Sequence, residues 1–129
     1  MGEAFELVLW SSDVPALADF LERVVGATVT ERFPGFADVR VDAFRIQIHA
    51  DEAFRGHPWY ESLAREGVAR GIGCELRFRV ADVLATFRRA VDAGAVPVHP
   101  PYELEAAVES VVMGPDGYLF TLWAPRTHP

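Results

Sequence analysis

With 129 residues, 50% of them hydrophobic and 24% charged, the chain has the size and composition of one globular domain that can bury a core without disulfides or a structural metal. A net charge of −7 argues against nucleic acid or anionic lipid as a partner, because phosphate binding rests on clustered Lys and Arg, and favours a neutral or cationic ligand. The single cysteine, Cys74, excludes an intrachain disulfide and a multi-cysteine zinc site, the apolar runs are far shorter than a membrane span, and Met1 to Trp10 is acidic where a secretory signal is basic, so a soluble cytoplasmic protein is expected.

In chain order, the first expected strand is Ala4 to Ser11, followed by a helix over "PALADFLERVVGA" with proline near its start and Gly26 at its stop. Strands at Ala27 to Phe33, Phe36 to Val41 and Phe44 to Ala50 follow, the first two joined at Pro34-Gly35. Asp51 to Gly73 reads as a connector in which "HPWYESLAREG" forms a short helix. A strand at Cys74 to Val80 and a helix over "LATFRRAVDAGA", stopping at Gly94, come next. Strands at Val96 to Pro100, Val108 to Met113 and Tyr118 to Ala124 complete the chain, the last two joined at Pro115-Asp116-Gly117.

The two halves repeat. "ELVLWSSDV" from Glu6 and "ELRFRVADV" from Glu75 share Glu, Leu, Asp and Val at an offset of 69, since 75 minus 6 is 69; "DAFRIQIHA" from Asp42 and "DGYLFTLWA" from Asp116 share Asp and Ala at an offset of 74. Each half therefore reads strand, helix, strand, strand, strand. The fold class is α+β, a single domain over 1–129 with tandem βαβββ modules at 4–50 and 74–124 and a connector at 51–73.

Neighbouring side chains in a strand point to opposite sides. That rule places Leu7, Leu9, Phe44, Ile46, Ile48, Cys74, Leu76, Phe78, Val80, Tyr118, Phe120 and Leu122 on a core face covered by the helices. The other face carries Glu6, Val8 and Trp10; Arg45, Gln47 and His49; Glu75, Arg77 and Arg79; and Leu119, Thr121 and Trp123. Its mixture of charge and aromatics suits either a solvent-facing surface or the lining of a cleft.

In this order and spacing, "SSDVPALADFLERVVGATV", "VADVLATFRRAVDAGAVPV" and "GPDGYLFTLW" resemble the vicinal oxygen chelate superfamily, which contains glyoxalase I, extradiol dioxygenases, and the fosfomycin- and bleomycin-resistance proteins. The resemblance covers nearly the whole chain and implies paired βαβββ modules forming a curved mixed sheet around one cleft, and association as a homodimer. Metal-dependent members hold one divalent ion through four side chains from the first and last strands of each module. Those places fall on Glu6, Gln47, Glu75 and Thr121, which the internal repeat pairs as Glu6 with Glu75 and Gln47 with Thr121. The usual histidines are missing, and Thr121 stands where a glutamate is usual.

No cofactor is therefore expected; if a divalent ion binds, the resemblance leaves Glu6, Gln47 and Glu75 to hold it with waters. The alternative is an ion-pair network, because Arg45, Arg77 and Arg79 on the same face supply the balancing charge. His49 is the one histidine considered for proton transfer, whereas His57, His99 and His128 read as solvated. Trp10 and Trp123 offer flat surface to an aromatic or cationic ligand, or fill the cleft or a subunit contact, and Trp59 and Tyr60 read as a cover for its mouth or as part of a helix that binds a partner subunit. Two functions follow: binding of a small organic molecule, such as a cationic antibiotic, without transforming it, or a metal-dependent lyase, isomerase or dioxygenase. The expected ligand-binding set is Glu6, Trp10, Arg45, Gln47, His49, Glu75, Arg77, Thr121 and Trp123.

Overall fold

A computed structural model describes residues 4–67 and 69–126. The first module runs β1 (Leu7–Ser11), α1 (Val14–Val25), β2 (Thr28–Phe33), β3 (Phe36–Val41), β4 (Phe44–Ala50). The second runs β5 (Glu75–Arg79), α3 (Val83–Asp92), β6 (Val96–Glu103), β7 (Ala107–Met113), β8 (Leu119–Pro125). Between them lie a 3-10 turn at Asp51–Phe54, the four-residue helix α2 (Pro58–Glu61) and one π turn at Ser62–Glu66, so the expected connector helix exists but is broken into short pieces.

Both modules build the same sheet. The strand orders are β1-β4-β3-β2 and β5-β8-β7-β6, with the first and last strands of each module parallel and the other pairs antiparallel. The α+β paired-module fold expected from the sequence is present, as two separate four-stranded sheets rather than one continuous sheet. β6 runs on to Glu103, past its expected end at Pro100. Pro97, Pro100 and Pro101 are tolerated there because β6 is an edge strand and shifts register at two places, so the missing N–H groups take no bond from a central ladder.

Local chemistry sets the helices. Asp13 accepts a hydrogen bond from the Ala16 amide and Asp82 from the Ala85 amide, each satisfying an otherwise orphaned donor of the first turn. Gly26, at φ 73°, turns the chain out of α1 while its amide bonds back to the Leu21 carbonyl. The apolar stripe of α1, Leu17, Leu21 and Val24 among others, is fully buried.

One core spans both modules. The Phe20 ring of α1 sits 5.1 Å from Phe120 of β8, α1 packs on α3, and the Arg89 guanidinium of α3 donates to the Val24 carbonyl at 3.1 Å. Gly114 has no substitute at this junction: a Cβ there would run into the rings of Phe120 and Phe20. No helix among the described residues is long and apolar enough to cross a membrane.

Two residues expected on the core face are outside it. Cys74 is exposed, because β5 starts only at Glu75 and Cys74 belongs to a turn in which its amide bonds to the Gly71 carbonyl. Phe44, at the first position of β4 beside a tight turn, is 72% exposed. Alternation governs the middle of a strand and loses its hold at the ends, where no neighbouring helix covers the side chain.

Candidate functional site

A cavity of about 580 Å³ lies between the two modules. Phe5, Asp42, Phe44 and Arg45 line it from the first module, and Glu75, Arg77, Arg79 and Trp123 from the second, with Leu7, Ile46, Leu76 and Phe78 forming its floor. The parallel ladder of the second module brings Arg79 opposite Trp123 and Arg77 opposite Thr121. The guanidinium carbons of Arg79 and Arg77 lie 5.7 and 5.9 Å from the Trp123 ring centre, within cation–π range.

On the first-module wall, Arg45 is saturated by partners. Its Nε donates to Asp38 at 2.5 Å, a terminal nitrogen stands 3.6 Å from Glu6, and the Gln47 amide, oriented with its oxygen toward the guanidinium, accepts at 2.8 and 2.9 Å. Asp38 is buried on β3. Burial alone would push its pKa up, but the hydrogen bonds from Arg45 and Thr30, with the Arg40 charge nearby, hold it below the ordinary carboxylate value.

The second-module wall has a matching device. Arg77 donates to both oxygens of Glu109, at 2.7 and 3.3 Å, and lies 3.6 Å from Glu75. The Arg77 hydrogen bonds keep Glu109 below its ordinary pKa against the effect of burial, assisted by Tyr102, whose hydroxyl donates at 3.3 Å. Thr121 is fully buried, and its hydroxyl donates to Glu75 at 2.6 Å. Arg79 differs from its neighbours: it is exposed, and among the described residues no carboxylate lies within 4.0 Å of it.

Trp10 and His49 are placed elsewhere. Trp10 stacks face to face on Phe54 of the connector, ring centres 3.8 Å apart, with His57 edge-on at 5.0 Å. It lines a separate cavity of about 270 Å³ with Trp59, Leu63, Arg70 and Tyr118. The two indoles thus serve different cavities, since Phe54 covers the face of Trp10, and Trp59 borders the smaller cavity instead of the mouth of the larger. His49 bonds to Gln47 at 3.3 Å and packs edge-on against Phe36 and Phe54. Of the other histidines, His57 caps α2 by accepting from the Trp59 amide, His99 bonds to the adjacent Pro100 carbonyl, and His128 lies outside the described residues. Glu6 precedes β1 but still reaches Arg45.

Several residues that organise this region escaped sequence reasoning. Arg70 makes a two-pronged bond to Asp51, at 2.7 and 2.8 Å, donates to the Trp10 carbonyl at 3.2 Å and stands 3.8 Å from Asp116. Asp116, at φ 62°, also accepts from the Ser11 and Ser12 hydroxyls and the Ser12 amide, tying the last turn of the second module to the end of β1. Asp38 and Glu109 were legible only as the single carboxylates of largely apolar strands, a pattern that calls for a cationic partner if the carboxylate is buried.

Comparisons with known proteins agree with this architecture. A crystal structure of a glyoxalase/bleomycin resistance protein/dioxygenase family enzyme from Burkholderia phytofirmans PsJN is 25% identical, superposes with a TM-score of 0.76, and covers 92% of this chain and 95% of its own. A glyoxalase-related enzyme from Fulvimarina pelagi (18% identity, TM-score 0.75, 96% of this chain and 88% of that one) shares the fold. So does TioX from Micromonospora sp. ML1 (21% identity, TM-score 0.65, 98% and 99%). A search of curated proteins returns no match. The sequence model of one family aligns with residues 5–122, almost the full length, and the chain belongs to the Glyoxalase/Bleomycin resistance protein/Dioxygenase superfamily.

Proposed function

We propose that the protein binds a small organic molecule in the larger cleft and releases it unchanged, without a divalent ion. The observation that carries this reading is the commitment to arginines of the carboxylates at and beside the positions that correspond to metal ligands: Glu6 faces Arg45, while Glu75 and Glu109 face Arg77. The four positions that correspond to metal ligands do not suit such an ion. Glu6 and Gln47 both serve Arg45, Glu75 is shared by Arg77 and Thr121, and Thr121 spends its proton on Glu75. A hard cation needs about six oxygen ligands, and two guanidinium groups against the same carboxylates oppose it. His49, turned into the Phe36 and Phe54 cluster, stands away from the cleft lining, so the described residues that line it include no imidazole to shuttle protons.

The test is titration of tryptophan fluorescence with small aromatic carboxylates and with cationic glycopeptide antibiotics, followed by mass spectrometry of the recovered compound. Saturable quenching by one of the two sets with the compound recovered intact is expected; a chemically altered compound would overturn the reading. In parallel, melting curves with Mn²⁺, Ni²⁺, Zn²⁺, Mg²⁺ and Fe²⁺ are expected to coincide with the metal-free curve. A stabilisation that vanishes in both Glu6→Ala and Glu75→Ala would instead establish a metal site and point to lyase, isomerase or dioxygenase chemistry.

A further inference from the structure

The internal repeat supplies a control for each side chain of the cleft. Asp42 and Asp116 occupy equivalent turns, 74 residues apart, and both hold positive φ, 51° and 62°. Asp116 is fully engaged by Ser11, Ser12 and Arg70. The repeat equivalents of Ser11 and Ser12, 69 residues on, are Val80 and Ala81, which carry no hydroxyl. Asp42 is exposed, and among the described residues no cationic side chain lies within 4.0 Å of it. In place of a filled contact, a cavity of about 420 Å³ opens between Asp42, Arg79, Val80, Ala81, Ala124 and Pro125.

Asp42 and Arg79 also line the larger cleft, so the two spaces meet at this pair. One carboxylate and one guanidinium therefore stand at the junction, each without a partner of opposite charge among the described residues, while Arg45 and Arg77 are already paired with carboxylates. Beside them Phe5 and Phe44, 75% and 72% exposed, present apolar rings that no other part of the described chain covers. On the opposite wall Arg79 is held over Trp123. Resting on the binding function proposed above, we propose that the ligand is a zwitterionic aromatic compound, its carboxylate on Arg79, its ammonium on Asp42 and its ring against Phe5 and Phe44. Either single charge would leave one of the two groups unmatched, and a second carboxylate would meet Asp42.

A matched series reads the charges separately: phenylalanine carries both, 3-phenylpropionate only the anion and phenethylamine only the cation. Calorimetric titration of the full chain is expected to give phenylalanine an affinity about tenfold above either analogue, the size of one charge-assisted hydrogen bond. Arg79→Gln should reduce phenylalanine to the level of phenethylamine, and Asp42→Asn, which keeps a residue tolerant of positive φ, to the level of 3-phenylpropionate. Equal affinities across the series, or variants that change nothing, would overturn the zwitterion while leaving unselective binding in the cleft intact. Absence of binding by all three would overturn it too, and the function itself would then be judged on the wider panel. Sedimentation of wild type and Phe5→Ser/Phe44→Ser over a dilution series closes the remaining route: loss of a dimer in the double variant would assign those rings to a second copy and overturn their role in the ligand site.

Discussion

The same pair of positions appears in both modules and is used in opposite ways. Trp10 lies beside His49 in the ladder of β1 and β4; adding 69 and 74 gives Arg79 beside Trp123 in the ladder of β5 and β8. In the first module the connector lays Phe54 on Trp10 and against His49, and the pair becomes packing. In the second module Arg79 and Trp123 line the open cleft. A repeated backbone fixes where side chains emerge, but the connector, which occurs once, decides which copy stays accessible. The turn acids follow suit, since Asp116 is an anchor and Asp42 is open.

The largest effect expected from this asymmetry is on stability. Asp116 is almost wholly buried and accepts from two hydroxyls and one amide, with Arg70 at its side; Asp116→Ala takes the acceptor from those three donors and leaves Arg70 with Asp51 as its one carboxylate partner among the described residues. The cost should be about 3 kcal/mol in urea denaturation. Asp42→Ala, at the equivalent turn, should cost under about 1 kcal/mol, chiefly the strain of alanine at positive φ. Equal costs would break the comparison.

A second, smaller effect separates the two buried carboxylates. Asp38 keeps Thr30 and the Arg40 charge if Arg45 is lost, whereas Glu109 keeps only Tyr102 if Arg77 is lost. Arg77→Met should therefore cost about 2 kcal/mol near neutral pH, less than a fully buried pair because the arginine is partly solvated, and Arg45→Met should cost less than Arg77→Met. Glu109 has a folded pKa below its ordinary 4.5, so the stability it contributes is complete above that value and is lost as the pH falls through the lower folded value. The gap between wild type and Arg77→Met should close over that acidic interval. A gap that persists below it would mean that Arg77 acts through packing alone.

How much of this was legible from residues alone divides along physical lines. Strand and helix identity rest on local periodicity and turn chemistry, and β3 and β4 fall at their expected residues. The core face held for Leu9, Ile48, Phe120 and Leu122, mid-strand residues under the helices, and failed for Cys74 and Phe44 at strand ends. Alternation could place Trp10 and Trp123 on equivalent faces but could not say that a connector ring would cover one of them. That contact depends on where Asp51 to Phe54 lands, a tertiary outcome with no periodic signal. The Arg70 clamp was hidden for the same reason, because its partners come from β1, the connector and the final turn.

The smallest effect probes the cover itself. Phe54→Ala removes a ring stacked on Trp10 with an interplanar angle of 4° and the edge contact to His49, but it leaves the ladders and the main core untouched. Because Phe54 is only half-buried, the loss should be about 1 kcal/mol, the worth of an aromatic pair beyond its modest area. The informative readout is acrylamide quenching in a background of Trp59→Phe and Trp123→Phe, so that Trp10 is the remaining indole. Quenching of Trp10 should rise when Phe54 is removed, while the reciprocal background that retains only Trp123 should show no change. If instead Trp10 is already as accessible as Trp123 before the substitution, the connector does not close over the first module, and both repeats would be open to ligands.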